Sequence, residues 1–234
     1  MTRTIVTTSW DDGHICDVRL ATLLKKYHMK GTFYISPKDR ELREQDRLSD
    51  EQVRALSGDF EIGAHTMTHP RLSSVDVHIA HDEIVQSKQY LEQVINMPVL
   101  SFCYPGGDFT QVHKDIVRDA GFTYARTVER FKSSIKPDML AAPTTIHAYR
   151  HWSDALDILK AVGLAKFFKC YLNWDELAIE VFESVRARGG VFHLWGHSWE
   201  IDKNGDWDRL ERVLHHISHY NDMRHATNHE LVTL

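Results

Sequence analysis

Two hydrophobic periods alternate along this chain. Short runs rich in β-branched and aromatic residues occupy 4–9, 31–35, 60–64, 99–104, 122–128, 144–149 and 191–195, and acidic, Gly or Pro residues stop several of them. Such runs read as strands. Between them the apolar positions recur at helical spacing. Val18, Leu20, Ala21, Leu23 and Leu24 predict a helix over 17–28, and Val77, Ile84, Leu91, Val94 and Ile95 predict the longest one over 74–95. Ser49-Asp50-Glu51-Gln52 offers a cap and an acidic first turn for a short helix to Leu56, Gln111 to Ala120 ends at Gly121, and Ser153 opens a helix to about Val162. Trp174, Leu177, Ala178, Val181, Phe182 and Val185 form a further stripe that Gly189-Gly190 ends, and Trp207, Leu210, Val213, Leu214 and Ile217 mark a last helix. The tail Leu231-Val232-Thr233-Leu234 reads as an edge strand.

Strand and helix alternate about seven times, without repeat, linker or low-complexity segment. That order predicts one α/β domain over 1–234, built on a parallel sheet or barrel. Such folds bind ligands beyond the C-terminal ends of their strands. The chemistry-bearing residues fall there: Asp11 and Asp12 after the first strand, His65 and His69 after the third, Pro105-Gly106-Gly107 after the fourth and His197 after the seventh.

Two histidines at i and i+4 reach one metal ion when the chain between them is a helical turn. Thr66 follows His65, so the glutamate base of a metalloprotease is absent. Two imidazoles need a further ligand, and a carboxylate suits a hydrolytic zinc-type centre. Asp11-Asp12 supplies one, with the second acid free to take a proton; the pair also reads as an acidic helix cap. His197 suits a general acid, His193 competes for that role from inside its strand, and the glycine turn exposes backbone N–H groups that could hold an oxyanion.

Composition narrows the class. The chain has 234 residues, 42% hydrophobic, with a net charge of −5 and no basic run, which points away from nucleic acid. The first six residues form no signal peptide, and no stretch approaches a membrane span. Three scattered cysteines, Cys16, Cys103 and Cys170, build no disulfide framework, so a cytoplasmic setting is expected.

Three runs carry a family resemblance. Thr8-Ser9-Trp10-Asp11-Asp12-Gly13, Gly31-Thr32-Phe33-Tyr34-Ile35 and Glu61-Ile62-Gly63-Ala64-His65-Thr66-Met67-Thr68-His69-Pro70-Arg71-Leu72 stand in an order that resembles the polysaccharide deacetylase superfamily (NodB homology, carbohydrate esterase family 4). The resemblance extends to about Asp202. It implies a distorted, incomplete (β/α)7-type barrel. It implies that Asp11 is the catalytic base and that Asp12, His65 and His69 hold a divalent ion, zinc first, with cobalt, nickel or manganese as substitutes. Gly106 would stand at the oxyanion position and His197 would be the general acid, while Tyr104, Pro105 and Trp199 are expected to touch substrate. The implied reaction removes an N-acetyl or other N-acyl group from an amino sugar in a glycan or glycan precursor.

Two departures stand out. Cys103 occupies the place where the third motif often carries an arginine that pairs with the base, leaving Arg126 and Arg150 as substitutes. No fourth motif is found, Arg150-His151-Trp152-Ser153-Asp154 being a poor match. Two other readings stay open: an amidohydrolase of the same fold acting on a small non-sugar amide, ureide or formamide, and an inactive carbohydrate-binding homologue. The sequence does not fix the oligomeric state.

Overall fold

A computed structural model describes residues 4–234. The chain runs β1 (Thr4–Trp10), α1 (Asp17–Lys26), β2 (Thr32–Ile35), α2 (Asp50–Ser57), β3 (Glu61–Ala64), α3 (Val77–Ile95), β4 (Ser101–Cys103), α4 (Gln111–Asp119), β5 (Tyr124–Arg126) and β6 (Ile146–His147). It continues through α5 (Ala155–Val162), α6 (Leu164–Leu172), α7 (Trp174–Arg188), β7 (Gly190–Gly196), α8 (Ser198–Asn204), α9 (Trp207–Ser218) and β8 (Arg224–His225). All pairs are parallel, in the order β5-β4-β3-β2-β1-β7-β6. This is the expected single α/β sheet, curled into an incomplete seven-stranded barrel.

β1 is the spine. β7 pairs with all of it, from Thr4↔Gly190 to Trp10↔Gly196. Its other side is shared: β8 takes Ile5 and Val6, and β2 takes Ser9 and Trp10. Every residue of β1 and β7 is buried, as strands covered on both faces require. The buried hydroxyls of β1 are partnered. Thr8 donates to Lys30 O, Thr7 accepts from Asn228, and Ser9 meets His193 Nε2 at 2.8 Å. Between β5 and β6 irregular chain replaces a strand. Ala142 N donates to Ala125 O and Thr145 N to His193 O, so the segment bridges the gap without closing the barrel.

Several expectations shift. Ser49 caps α2 with the reciprocal Gln52 bond, as read from the sequence. Ser153 does not cap α5; it lies in a 3-10 turn, Trp152–Asp154, that leads into the helix. The tail is a 3-10 helix, His229–Thr233, because Asn228 turns it back onto the sheet through Tyr34, Thr7 and Thr32; the strand beside β1 is β8 instead. α6 and α8 have no counterpart among the predicted elements. Gly63 in β3 answers to a close approach, since a Cβ there would lie 2.4 Å from the Tyr34 ring.

His193 lies inside the sheet, where burial, reinforced by Arg126, lowers it from 6.5 to about 3. Below pH 6.5 the unfolded chain therefore takes up a proton that the native chain refuses. This term makes stability fall as pH drops from about 6.5 toward 3, by at most about 1.4 kcal/mol per pH unit. Urea midpoints measured at neutral pH and near pH 5 should drop less for His193→Gln than for the wild type. Equal drops would contradict this account.

Candidate functional site

The C-terminal ends of six strands form one rim. Asp11 follows β1 and donates its N–H to Gly196 O at 3.0 Å, which sets it beside His197. The register Cys103↔Arg126 brings β4 and β5 to the same level, and His147↔Trp195 does so for β6 and β7. α1 begins only at Asp17, so Asp11 and Asp12 are not its cap. Asp12 adopts a left-handed conformation, φ 79°, with Gly13 following at φ 74°. That tight turn points the two adjacent carboxyls to different partners.

Asp12 Oδ1 lies 3.6 Å from His65 Nε2 and 3.5 Å from His69 Nε2. Among the described residues, this buried oxygen has no hydrogen-bond partner. A buried carboxylate oxygen facing two imidazole nitrogens is costly unless a cation joins them. The three donor atoms therefore fit a divalent ion. Asp12 Oδ2 is held by the Trp199 indole N–H at 2.8 Å, which leaves Oδ1 toward the histidines. His65 Nδ1 meets Cys103 O at 2.7 Å, so Nδ1 carries the proton and Nε2 presents its lone pair. Burial and the neighbouring His69 push His65 down to about 4, keeping it neutral as a ligand must be.

The segment joining the histidines is not a helical turn. Thr66 and His69 both have positive φ, 63° and 62°. Glu83 of α3 fixes this loop, accepting from Met67 N at 2.8 Å, Thr68 N at 2.7 Å and Thr68 Oγ1 at 2.6 Å. His69 Nδ1 faces Asp39 and Glu41 carboxylates at 3.8 and 3.7 Å.

Asp11 pairs with Arg126, whose guanidinium donates to Oδ1 with both side chains buried. Burial opposes charge on Asp11, but Arg126, together with His65 and His197, outweighs it and the carboxyl is held down to about 2. Arg126 Cζ also lies 4.7 Å from the centre of the Trp195 ring and 5.3 Å from that of Tyr34. Arg150 instead stacks on Trp152 at 3.7 Å. Arg126 thus takes the part of the missing arginine, from β5. The Cys103 thiol lies 3.8 Å from Asp11 Oδ2, kept neutral by burial.

His197 Nε2 is 3.9 Å from Asp12 Oδ2, and Nδ1 bonds Glu200 Oε2 at 2.6 Å. Burial works against its charge, yet the Asp12, Glu200 and Asp11 carboxylates push it up to about 9. Glu200 also meets His147 Nε2 at 3.2 Å, and His147 Nδ1 meets His151 Nε2 at 2.7 Å. A carboxylate three residues after His197, and a histidine on β6, fill the region where no fourth motif was found. His193 stays in the sheet, bonded to Ser9.

Of the residues expected to touch substrate, Trp199 is partly exposed, whereas Tyr104 and Pro105 are buried. Tyr104 is fully buried, with its hydroxyl donating to Leu140 O and its ring stacked on Phe109 at 4.4 Å, so it offers no surface. Pro105 is buried in a 3-10 turn, Pro105–Gly107. Trp199 spends its N–H on Asp12. Gly106, at φ 59°, lies beside Arg71, whose Cζ would be 3.7 Å from a Cβ there. Sequence reasoning missed Glu83, Glu200 and His147; the His-x-x-Glu spacing at the start of a helix was the available signal for Glu200.

Glu83→Ala would release the histidine loop while leaving every candidate ligand in place. Zinc titration by calorimetry should show affinity reduced about tenfold or more. Unchanged affinity would mean that the loop holds its shape without Glu83.

No curated protein matches the chain. Among solved structures, the chitin deacetylase of Colletotrichum lindemuthianum is 12% identical, with a TM-score of 0.68 over 99% of this chain and 88% of that one. The deacetylase PplD of Streptococcus pyogenes, solved with acetate, is 22% identical, with a TM-score of 0.55 over 58% of this chain and 62% of that one. A CE4 family pseudoenzyme of Bacillus anthracis is 16% identical, with a TM-score of 0.62 over 98% of this chain and 66% of that one. At these identities the likeness is one of fold. The polysaccharide deacetylase family model matches residues 1–125, more than half of the 234-residue chain. The chain belongs to the polysaccharide deacetylase family.

Proposed function

We propose that the protein hydrolyses the N-acetyl, or another N-acyl, group of an amino sugar, releasing the carboxylate and the free amine. The observation that carries this reading is the division of labour between adjacent carboxyls. Asp11 is charged and paired with Arg126, whereas Asp12 turns an unpartnered oxygen toward His65 and His69.

A divalent ion held by Asp12, His65 and His69, zinc first, would supply Lewis acidity to the acyl oxygen and lower the pKa of a nearby water. The chain's own residues do the rest. Asp11 takes the proton of the attacking water, and Arg126 keeps its carboxylate ionised and aimed. The Gly106 N–H is the candidate donor to the developing oxyanion. His197, protonated and oriented by Glu200, gives its proton to the departing nitrogen. The family and the likeness to a chitin deacetylase support a sugar amide over a small ureide or formamide. Arg126 weakens the case for an inactive homologue, because the base keeps its cation despite Cys103.

Asp12→Ala and His65→Ala should lose both bound zinc and deacetylase activity. Asp11→Asn should keep the metal and lose about 10²–10⁴ in kcat. Release of acetate from chitooligosaccharides, with metal content measured on the same samples, reads both; full activity in Asp12→Ala would defeat the proposal. A panel adding small formamides and ureides separates sugar from non-sugar substrates. Glu200→Gln should lower kcat through a displaced pH profile with metal content unchanged; an unaltered profile would remove Glu200 from the acid's support.

A further inference from the structure

The α5–α6 hairpin is apolar on two faces. Its inner face is accounted for: Ile158 and Cys170 are buried, and Phe167 and Tyr171 pack against the core. Its outer face carries Trp152, Leu156 and Leu159 on one side and Leu164, Phe168 and Leu172 on the other. These six residues are 37–75% exposed. Leu164, Phe168 and Leu172 recur every four residues, which places them in one row along α6. Gly163 alone joins the helices, and the Tyr171 hydroxyl donates to Trp152 O at 3.1 Å. The helices therefore run antiparallel, and both rows are exposed to solvent.

Single exposed leucines are ordinary, but five large apolar side chains on adjoining helices, continued by Trp152 in the turn before α5, mark an interaction surface. Charge helps to choose the occupant. Lys166 pairs with Glu180 at 2.6 Å, Lys169 with Glu176 at 2.7 Å and Lys160 with Asp157 at 3.5 Å. The flanking lysines are thus matched within the chain and do not call for an anionic lipid surface. What stays unmatched is apolar and arranged at the spacing by which helices interdigitate. A second hairpin of the same kind supplies that complement, giving four helices around a two-fold axis. At about 100 Å² per exposed side chain the patch offers about 600 Å², close to the ~800 Å² per partner of a standard interface once a polar rim is added.

We infer that the chain forms a two-fold dimer through the outer faces of α5 and α6. Trp152 and Leu172 also line a cavity of about 280 Å³ with Tyr149, Trp174 and Asn204, so the partner would border that cavity. The inference does not depend on the deacetylase reading.

Sedimentation velocity of the full chain, over two decades of micromolar concentration, should show a monomer–dimer equilibrium. Leu164→Lys combined with Phe168→Lys should raise the dimer dissociation constant at least tenfold, with the circular dichroism spectrum unchanged. Hydrogen exchange of the wild type gives a reading that needs no variant: amides of 155–172 should slow with increasing concentration. A wild-type chain that stays monomeric, a dimer indifferent to the double substitution, exchange independent of concentration, or a monomer that sediments with phosphatidylglycerol vesicles would each overturn the inference.

Discussion

The rim of the barrel depends on one buried ion pair. Arg126 and Asp11 are both withdrawn from water, a costly arrangement unless geometry and further contacts repay it. The guanidinium gains the Trp195 and Tyr34 rings and a bond to Thr127 O in addition to the carboxylate. Removing either partner would strand a charge in the core, so β1 and β5 are tied together across four intervening strand pairings. The pair also separates the two neighbouring acids: one is claimed by a cation of the chain, and the other is left to face imidazoles.

A second layer of contacts does comparable work around the candidate metal site. Cys103 supplies a carbonyl to His65, Trp199 an indole N–H to Asp12, and Glu83 three hydrogen bonds to the loop. None of these groups is among the donors that face one another, yet each removes a degree of freedom from one that is. Positive φ at Asp12, Thr66 and His69 is tolerated because the surrounding bonds define those turns.

The seven main strands and most helices were legible because hydrophobic period and turn residues agree along those segments. The short spans of β4, β5 and β6 were overestimated because flanking apolar residues pack without joining the ladder. α6 was missed since its apolar residues lie on two faces, which blurs a helical stripe. The grouping of Asp12, His65 and His69 as candidate donors was legible from their places just past β1 and β3. The choice of Arg126 over Arg150 was not, because only the β4–β5 register sets a guanidinium against Asp11. Tyr104 and Trp199 were read as substrate contacts because they are aromatic residues beside a motif; nothing in the sequence marks Tyr104 as core or assigns the Trp199 N–H to Asp12.

The split pairing of β1 bears on how much of the chain the domain needs. β8 and Asn228 come from the last dozen residues, yet they cover the first half of the central strand and reach Thr7, Thr32 and Tyr34. A chain shortened before Arg224 would keep every catalytic candidate but bare the backbone of Ile5 and Val6. An apolar strand edge without a partner is a template for pairing with another chain. The C-terminal segment thus covers that stretch of β1 from a position remote from the chemistry.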